Sequence, residues 1–362
     1  MTVNHSFLFT LNIQPHIDAC CEKQKNQKKG FWFLNPAALV YAVTGGLFVL
    51  SYFLSPLHPF RHTFLFYAAK MWWAILLGFF LGGIIDYFVP KEYVSKYLAE
   101  PRKRTIFLSV CLGLLMSACS HGILALAIEL HKKGASGAAV ISFLLASPWA
   151  NLPVTFLLIG FFGWKGLLII CAACFVALTT GLLFQLLAKR GWVESNPHSI
   201  QVDQNFSVSA DILKRFKNYR SGVQTVLNDF KGVLKGSYEL TQMVAFWIVI
   251  GVLLAALTSA FVPKNFFAHY FGASLLGLLM TVLVATILEV CSEGTSPLAF
   301  ELYRQTGAFG NAFAFLMAGV VTDYTEIGLI WTHLGKRSAL WMLTLALPQV
   351  ILIALSFNIF FK

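Results

Sequence analysis

Charged side chains are scarce in this chain, because Asp, Glu, Lys and Arg together make up only 12% of its 362 residues. About a quarter is usual in a soluble domain. Hydrophobic residues make up 57%, and the mean hydropathy is +0.71. This composition excludes an ordinary soluble fold and predicts an all-α integral membrane protein, with length counted in spans of about 20 residues. About nine hydrophobic segments are expected.

Several functional signatures are also missing. The chain has no Gly-x-x-x-x-Gly-Lys-Ser/Thr stretch, so it carries no ATP-binding loop of that type. Its net charge of +11 comes from Lys and Arg in loops between apolar segments, which is typical of membrane orientation and not of nucleic-acid binding. Seven cysteines form an odd set, mostly within apolar segments, so no disulfide framework is expected. Membrane lipids and a transported ion are the expected partners, no cofactor is expected, and a homo-oligomer is left open.

The hydrophobic pattern divides the chain into five parts. They are a cytoplasmic tail (1–33), an extra first transmembrane helix (34–64), a first repeat (65–188), a basic amphipathic cytoplasmic loop (189–239) and a second repeat (240–362).

The two repeats are recognised by short matches at a spacing that is constant to within one position. Phe88-Val89-Pro90-Lys91 recurs in the second half as Phe261-Val262-Pro263-Lys264. Cys119-Ser120-His121-Gly122 recurs as Cys291-Ser292-Glu293-Gly294. At the spacing of the tetrads, Asn151 of the first repeat corresponds to Asp323 of the second. A series of matches at one spacing predicts a duplicated unit.

Loop charge predicts how the repeats are oriented. If all nine segments cross the membrane, Lys and Arg divide 13 to 13 between the two sides. If the tetrad segment of each repeat instead enters and leaves on one side, the division becomes 21 to 5, which the positive-inside rule favours. A re-entrant Ser-Pro-Asn segment would give 20 to 6. Either way, three crossings per repeat predict two inverted-topology repeats with discontinuous or re-entrant helices, and a cytoplasmic N-terminus and loop.

The tetrads hold the candidate substrate site. Thiols, an imidazole and carboxylates suit a borderline or soft cation, so Cys119, His121, Cys291 and Glu293 are the candidate metal ligands. Ser120, Ser292, Asn151 and Asp323 complete the candidate substrate-binding set. In the second copy, Ser296 and Pro297 are typical of a helix N-cap and first turn.

Three acidic residues are candidates for proton coupling, namely Glu289, Asp323 and Glu326. Each candidate has a structural alternative. Buried cysteines often act as small apolar residues, His121 or Glu293 can cap a helix, and Asp323 with Glu326 can be solvated at a helix end. The matched pair Glu129 and Glu301 is expected near the surface, paired with neighbouring Lys or Arg.

The tetrad and the Ser147-Pro148-Trp149-Ala150-Asn151 stretch resemble the predicted-permease family that includes the arsenical efflux permease ArsP. That family has Cys-Ser-Cys, a proline four residues on, and then Ser-Pro-x-x-Asn. Here His121 stands at the third position and Ala125 at the proline. The resemblance covers roughly residues 65 to 361 and implies a multi-pass bacterial inner-membrane permease that exports toxic metals or metalloids.

The leading hypothesis is therefore proton-coupled export of a thiophilic ion by alternating access, without enzymatic activity. Because fewer thiols and added His and Glu suit a divalent ion, the zinc and copper class is favoured over a trivalent organoarsenical, which remains an alternative. Two further hypotheses are a membrane enzyme with Cys119 or Cys291 as nucleophile, and a membrane subunit that docks a partner through residues 189–239.

Overall fold

The computed structural model describes residues 36–88, 103–113, 120–132, 134–196, 223–288 and 291–361. Within those ranges the chain forms helices joined by turns and no strands, so the predicted all-α membrane class is confirmed. The chain divides into two units between Gly46 and Leu47, and this boundary falls within helix α1 (Pro36–Leu50). The predicted tail at 1–33 lies outside the described residues.

Six described helices follow α1 in the first half of the chain. They are α2 (His58–Phe88), α3 (Lys103–Gly113), α4 (Ser120–Lys132), α5 (Gly137–Ala150), α6 (Leu152–Phe162) and α7 (Trp164–Lys189). The predicted start of the first repeat at residue 65 therefore falls inside α2.

Seven helices form the described part of the second half. They are α8 (Val223–Phe261), α9 (Lys264–Tyr270), α10 (Leu275–Ile287), α11 (Ser292–Thr306), α12 (Phe309–Val321), α13 (Tyr324–His333) and α14 (Lys336–Phe360). The starts of α3 to α7 recur as the starts of α10 to α14, all at the spacing that separates the two tetrads. The helix order of one half is thus repeated in the other.

The nine hydrophobic segments predicted are not confirmed by the structure. Five helical stretches among the described residues are long and apolar enough to cross a membrane, or up to seven if each bent pair is one span. The second tetrad segment is divided into two short helices, α10 and α11. They have 13 and 15 residues and are therefore about 20–22 Å long, too short for a core of about 30 Å.

The matched helices α2 and α8 pack antiparallel along their length. At one end the Thr63 and Ser259 hydroxyls are 3.0 Å apart, and at the other the Tyr87 hydroxyl donates to Asp229 Oδ1 at 3.0 Å. The matched helices α7 and α14 are also antiparallel, because Trp164 packs on Phe361 while Gln349 Nε2 donates to the Thr180 hydroxyl at 3.0 Å. In these two pairs, corresponding helices of the two halves run in opposite directions.

Helices near the breaks pack between the halves in matched pairs. α4 of the first half contacts α13 of the second, and α11 of the second contacts α6 of the first. α5 also contacts its own counterpart α12. Because α4 corresponds to α11 and α6 to α13, the contact between α4 and α13 is the counterpart of the contact between α11 and α6.

The amphipathic loop predicted at 189–239 is different in the structure. Residues 223–239 begin α8, which continues without interruption to Phe261, so this stretch is not separate from the following span. The cause is packing on α2, since Ser237 lies against Gly83 and Asp229 accepts from Tyr87. Residues 197–222 lie outside the described part of the chain.

The connection after α7 joins the two halves through two side chains. Glu194 accepts hydrogen bonds from the backbone N–H groups of Arg337 and Ser338, both at 2.9 Å, and so caps the start of α14. Gly335 has φ +115°, and a Cβ there would lie 2.3 Å from the Glu194 side chain. Asn196 Nδ2 donates to the carbonyl oxygens of His131 and Ala135 after α4. The connection thus supplies hydrogen-bond partners for backbone groups at helix ends in both halves.

Replacing Glu194 by alanine should destabilise the protein by about 1–2 kcal/mol at neutral pH, the usual cost of losing a helix cap. Burial by itself raises the pKa of Glu194, but hydrogen bonds from Arg337 and Ser338 outweigh it and hold the pKa below its usual range. The carboxylate therefore stabilises the fold above the unfolded-state pKa of about 4.3, and this contribution is lost as pH falls through the lower folded-state value.

The measurement is thermal unfolding of purified wild type, Glu194→Ala and Glu194→Gln in detergent between pH 3 and 8. The Gln variant should lose less stability than the Ala variant. Its stability should also lack the pH dependence that the Glu194 carboxylate contributes. Equal unfolding midpoints for wild type and Glu194→Ala at pH 7 would contradict the capping role.

Candidate substrate site at the helix breaks

The structure describes only part of the predicted site. Cys119 and Glu289 lie outside the described residues, and Ser120 and His121 begin α4 with side chains that are not described. The remaining predicted residues are Cys291, Ser292, Glu293, Asn151, Asp323 and Glu326, which are all described.

Cys291, Ser292 and Glu293 form one contact group at the start of α11. Cys291 is the N-cap of the helix, and its thiol donates to Glu293 Oε2. The Ser292 hydroxyl donates to the same oxygen at 3.1 Å. Cys291 is 5% exposed and Glu293 2% exposed, so a thiol and a carboxylate are in contact inside the helical bundle.

Backbone packing holds this group in place. A Cβ on Gly251 of α8 would lie 2.1 Å from the carbonyl oxygen of Gly294, so only glycine allows the two backbones to approach this closely. Thr295 and Ser296 are also buried, and the Ser296 hydroxyl donates to the Ser292 carbonyl at 2.8 Å. The first turns of α11 therefore place polar side chains in an otherwise apolar bundle.

The predicted helix start at Ser296 and Pro297 is wrong. α11 begins at Ser292, and Pro297 lies inside the helix. The helix can start earlier because Cys291 leaves helical geometry with ψ 150°, and the carbonyl of Cys291 accepts from the N–H groups of Gly294 and Thr295. Consequently Glu293, and not Ser296, stands in the first turn, where the helix dipole favours a carboxylate.

Asn151 and Asp323 have the same structural role in the two halves. Asn151 Oδ1 accepts from the Val154 N–H at 2.8 Å and caps α6, at a break that bends α5 and α6 by 50°. Asp323 Oδ1 accepts from the Glu326 N–H at 2.9 Å and caps α13. The break predicted from the Ser-Pro-Trp-Ala-Asn stretch is therefore present and falls at Asn151.

In each half, the helix before the tetrad reaches the capped break. The Thr286 hydroxyl of α10 lies 2.8 Å from the Thr322 hydroxyl, which directly precedes Asp323. In the first half Gly113, at the end of α3, packs against Ser147. In the second half, the break at the tetrad and the break at Asp323 are therefore neighbours.

The described residues do not contain a group of three or more His, Cys, Asp or Glu able to hold a metal ion. Of the four predicted ligands, Cys291 and Glu293 are in contact, while Cys119 and the His121 side chain are not described. The complete four-ligand site therefore stays a prediction.

Sequence reasoning missed a second buried polar group. Glu301 was expected near the surface, but it is 1% exposed and accepts hydrogen bonds from the Tyr67 hydroxyl and from Gln305 Nε2. Its expected pairing with Arg304 is present, at 3.0 Å. The misplacement arose because α11 packs against α8, which brings Glu301 into contact with Tyr67 of α2 inside the bundle. The signal was the matched Glu129, which marks a position that carries a carboxylate in both halves.

The chain matches a known family over most of its length. The family model described as "Predicted permease" matches residues 57–359. "UPF0718 protein YcgR" of Bacillus subtilis is 23% identical over 270 residues, which cover 75% of this chain and 87% of that protein. "Putative permease Rv2963" of Mycobacterium tuberculosis is 25% identical over 259 residues, 64% of this chain and 60% of that protein.

A further relative comes from Streptococcus mutans. It bears the name "Putative two-component membrane permease complex subunit" and is 24% identical over 258 residues, 70% of this chain and 79% of that protein. No solved structure matches the chain. Because the family match spans nearly all of the chain from α2 to α14, this multi-pass membrane protein belongs to the predicted permease family.

Proposed function

We propose that this protein exports a toxic thiophilic ion, a divalent cation of the zinc and copper class, across a bacterial inner membrane. The observation that carries the proposal is the contact between the Cys291 thiol and the Glu293 carboxylate, buried at the start of α11. Ionisable groups inside a membrane segment are costly and generally mark a transport pathway. Family membership supports a transporter over an enzyme.

The chemistry of the pair suits a borderline or soft cation. A thiol must lose its proton to bind a metal ion, and a neighbouring carboxylate adds a hard oxygen ligand. Cys119 and His121 would supply the sulfur and nitrogen of the matched tetrad. Cation binding would then displace protons from these ligands, and Glu289, Asp323 and Glu326 are the proposed groups that pass them on.

Alternating access would arise from two inverted repeats. Supporting this, Thr63 contacts Ser259 and Tyr87 contacts Asp229, so the ends of α2 and α8 that contact each other must lie on the same membrane side. If all nine segments crossed, each of these contacts would join opposite sides. Three crossings and one re-entrant tetrad segment per repeat satisfy them, with the N-terminus and the 189–239 region cytoplasmic.

A trivalent organoarsenical is the second candidate cargo, favoured by the cysteine that each tetrad carries. Three thiolates are the natural ligand set for such an ion, and here His121 and Glu293 occupy the third position of the two tetrads. A separate possibility is a subunit role in a larger complex, since the Streptococcus mutans relative is named as a complex subunit.

The test is a panel of metal and metalloid sensitivities in a bacterial strain with and without the protein. Expression should raise tolerance to zinc or copper salts and lower the accumulated ion, measured by elemental analysis of washed cells. Protection against trivalent arsenicals alone would select the second candidate. Unchanged tolerance and accumulation across the panel would overturn export of a thiophilic ion.

A further inference from the structure

A polar cavity lies at the end of the bundle where α2 begins and α8 ends. Its volume is about 330 Å³. A single water needs roughly 10–15 Å³ on this measure, so the cavity has room for an ion of several heavy atoms and its hydration. The lining residues are Pro59, His62, Thr63, Ser259, Val262, Lys264, Arg304 and Gln305.

The charged side chains that line this cavity, those of Lys264 and Arg304, are both basic, and no carboxylate is among the lining residues. His62 adds an imidazole from a third helix, and all three residues are exposed. The floor carries the hydroxyls of Thr63, which is buried, and Ser259. Cationic donors above hydroxyl donors are typical of an oxyanion site.

Arg304 is held in a fixed orientation at this cavity. Its Nη2 donates to Ser259 Oγ at 2.9 Å, to Thr63 Oγ1 at 3.3 Å and to Glu301 Oε1 at 3.0 Å. Within the described chain, every hydrogen bond of Arg304 is donated by Nη2. Nη1 and Nε are therefore left as donors for a ligand. The buried Glu301 lies outside the cavity lining and positions the guanidinium from behind.

The neighbouring Gln305 also lines the cavity and is held by a hydrogen bond. Its Nε2 donates to Glu301 Oε1 at 2.5 Å, and its Oε1 is buried. The remaining donors at this point of the cavity therefore belong to Arg304, and a ligand that satisfies them must offer acceptor oxygens. Phosphate and the phosphodiester of a lipid headgroup both offer such oxygens.

We propose that the cavity lined by His62, Lys264 and Arg304 binds a phosphate-class oxyanion, either as free phosphate or as the phosphodiester of a lipid headgroup. The site is separate from Cys291 and Glu293, since none of its lining residues belongs to that group. Its occupancy does not depend on which ion the permease moves.

The experiment measures binding of inorganic phosphate to purified, delipidated full-length protein at constant ionic strength. Saturable binding of one phosphate should be seen, and Lys264→Gln and His62→Gln should each weaken it by about tenfold or more, since a hydrogen bond to a charged group contributes about 1.5–3 kcal/mol. The matched control is Lys235→Gln, near the opposite end of α8, where the side chain is 78% exposed and pairs with Glu239. That variant should bind as wild type does.

A competition arm distinguishes the two sources of phosphate. If short-chain phosphatidylethanolamine displaces the bound phosphate in wild type, the site accepts a lipid headgroup, and if it does not, free phosphate is the ligand. Either result supports the proposal. Absence of saturable binding by both probes, or binding that Lys264→Gln, His62→Gln and Lys235→Gln affect equally, would overturn it. Because these side chains are exposed, wild-type unfolding midpoints are expected for all three variants.

Discussion

A Cys291→Ser, Glu293→Gln double variant should bind the transported thiophilic ion at least about 100-fold more weakly than wild type. The reason is that both substitutions keep side-chain size but remove the thiolate sulfur and the carboxylate charge from the buried start of α11. Loss of residues that only support metal ligands typically costs 10–100-fold, so loss of two ligands should cost more. The measurement is equilibrium dialysis of purified protein against zinc and copper ions.

The matched control for this prediction is Cys171→Ser on α7, where the cysteine is exposed on the bundle surface. Its affinity should equal that of wild type. Wild-type affinity in the double variant, with a normal unfolding midpoint, would remove the second tetrad from ion binding. It would also leave the Cys291–Glu293 contact with a packing role only.

Replacing Glu301 by alanine should destabilise the protein by about 1–3 kcal/mol, because it leaves the buried Tyr67 hydroxyl without its acceptor. Tyr67 is fully buried and packs edge-on against Phe161 and Phe300, so its hydroxyl is far from bulk solvent. Unfolding midpoints and denaturant titrations in detergent measure the loss.

Glu239→Ala is the matched control for Glu301. It also removes a carboxylate from an ion pair, with Lys235, but both side chains are more than half exposed and 3.9 Å apart. An exposed pair of this kind contributes about 0.5 kcal/mol or less. Similar effects for the two variants would show that burial of the Glu301 network contributes nothing to stability.

The main organisation of the protein was predictable because it depends on local chemistry. Low charge and high hydropathy predicted helices in a membrane, and the Pro-flanked Asn151 predicted the break at which the structure bends by 50°. Matches at one spacing predicted a duplication, and the helix starts recur at the spacing of the two tetrads.

Prediction failed where packing overrode local signals. Ser296 and Pro297 have the chemistry of a helix start, yet α11 begins at Ser292, where Cys291 leaves helical geometry and the first turn packs closely on Gly251 of α8. Residues 223–239 have an amphipathic pattern suited to a membrane surface, but contacts with α2 extend them into one helix with the following span. Both contacts, of α8 with α11 and of α8 with α2, join residues that lie far apart in the sequence.

By itself, the sequence determined the membrane class, the helical content and the break at Asn151, since these follow from composition and from the preferences of neighbouring residues. Only the tertiary structure decided that the Cys291 thiol meets the Glu293 carboxylate, that Glu301 is buried, and that His62, Lys264 and Arg304 from three helices line one cavity. The physical reason is that side-chain contact and burial depend on which helices pack together, and packing joins residues that lie far apart along the chain, such as His62 and Arg304.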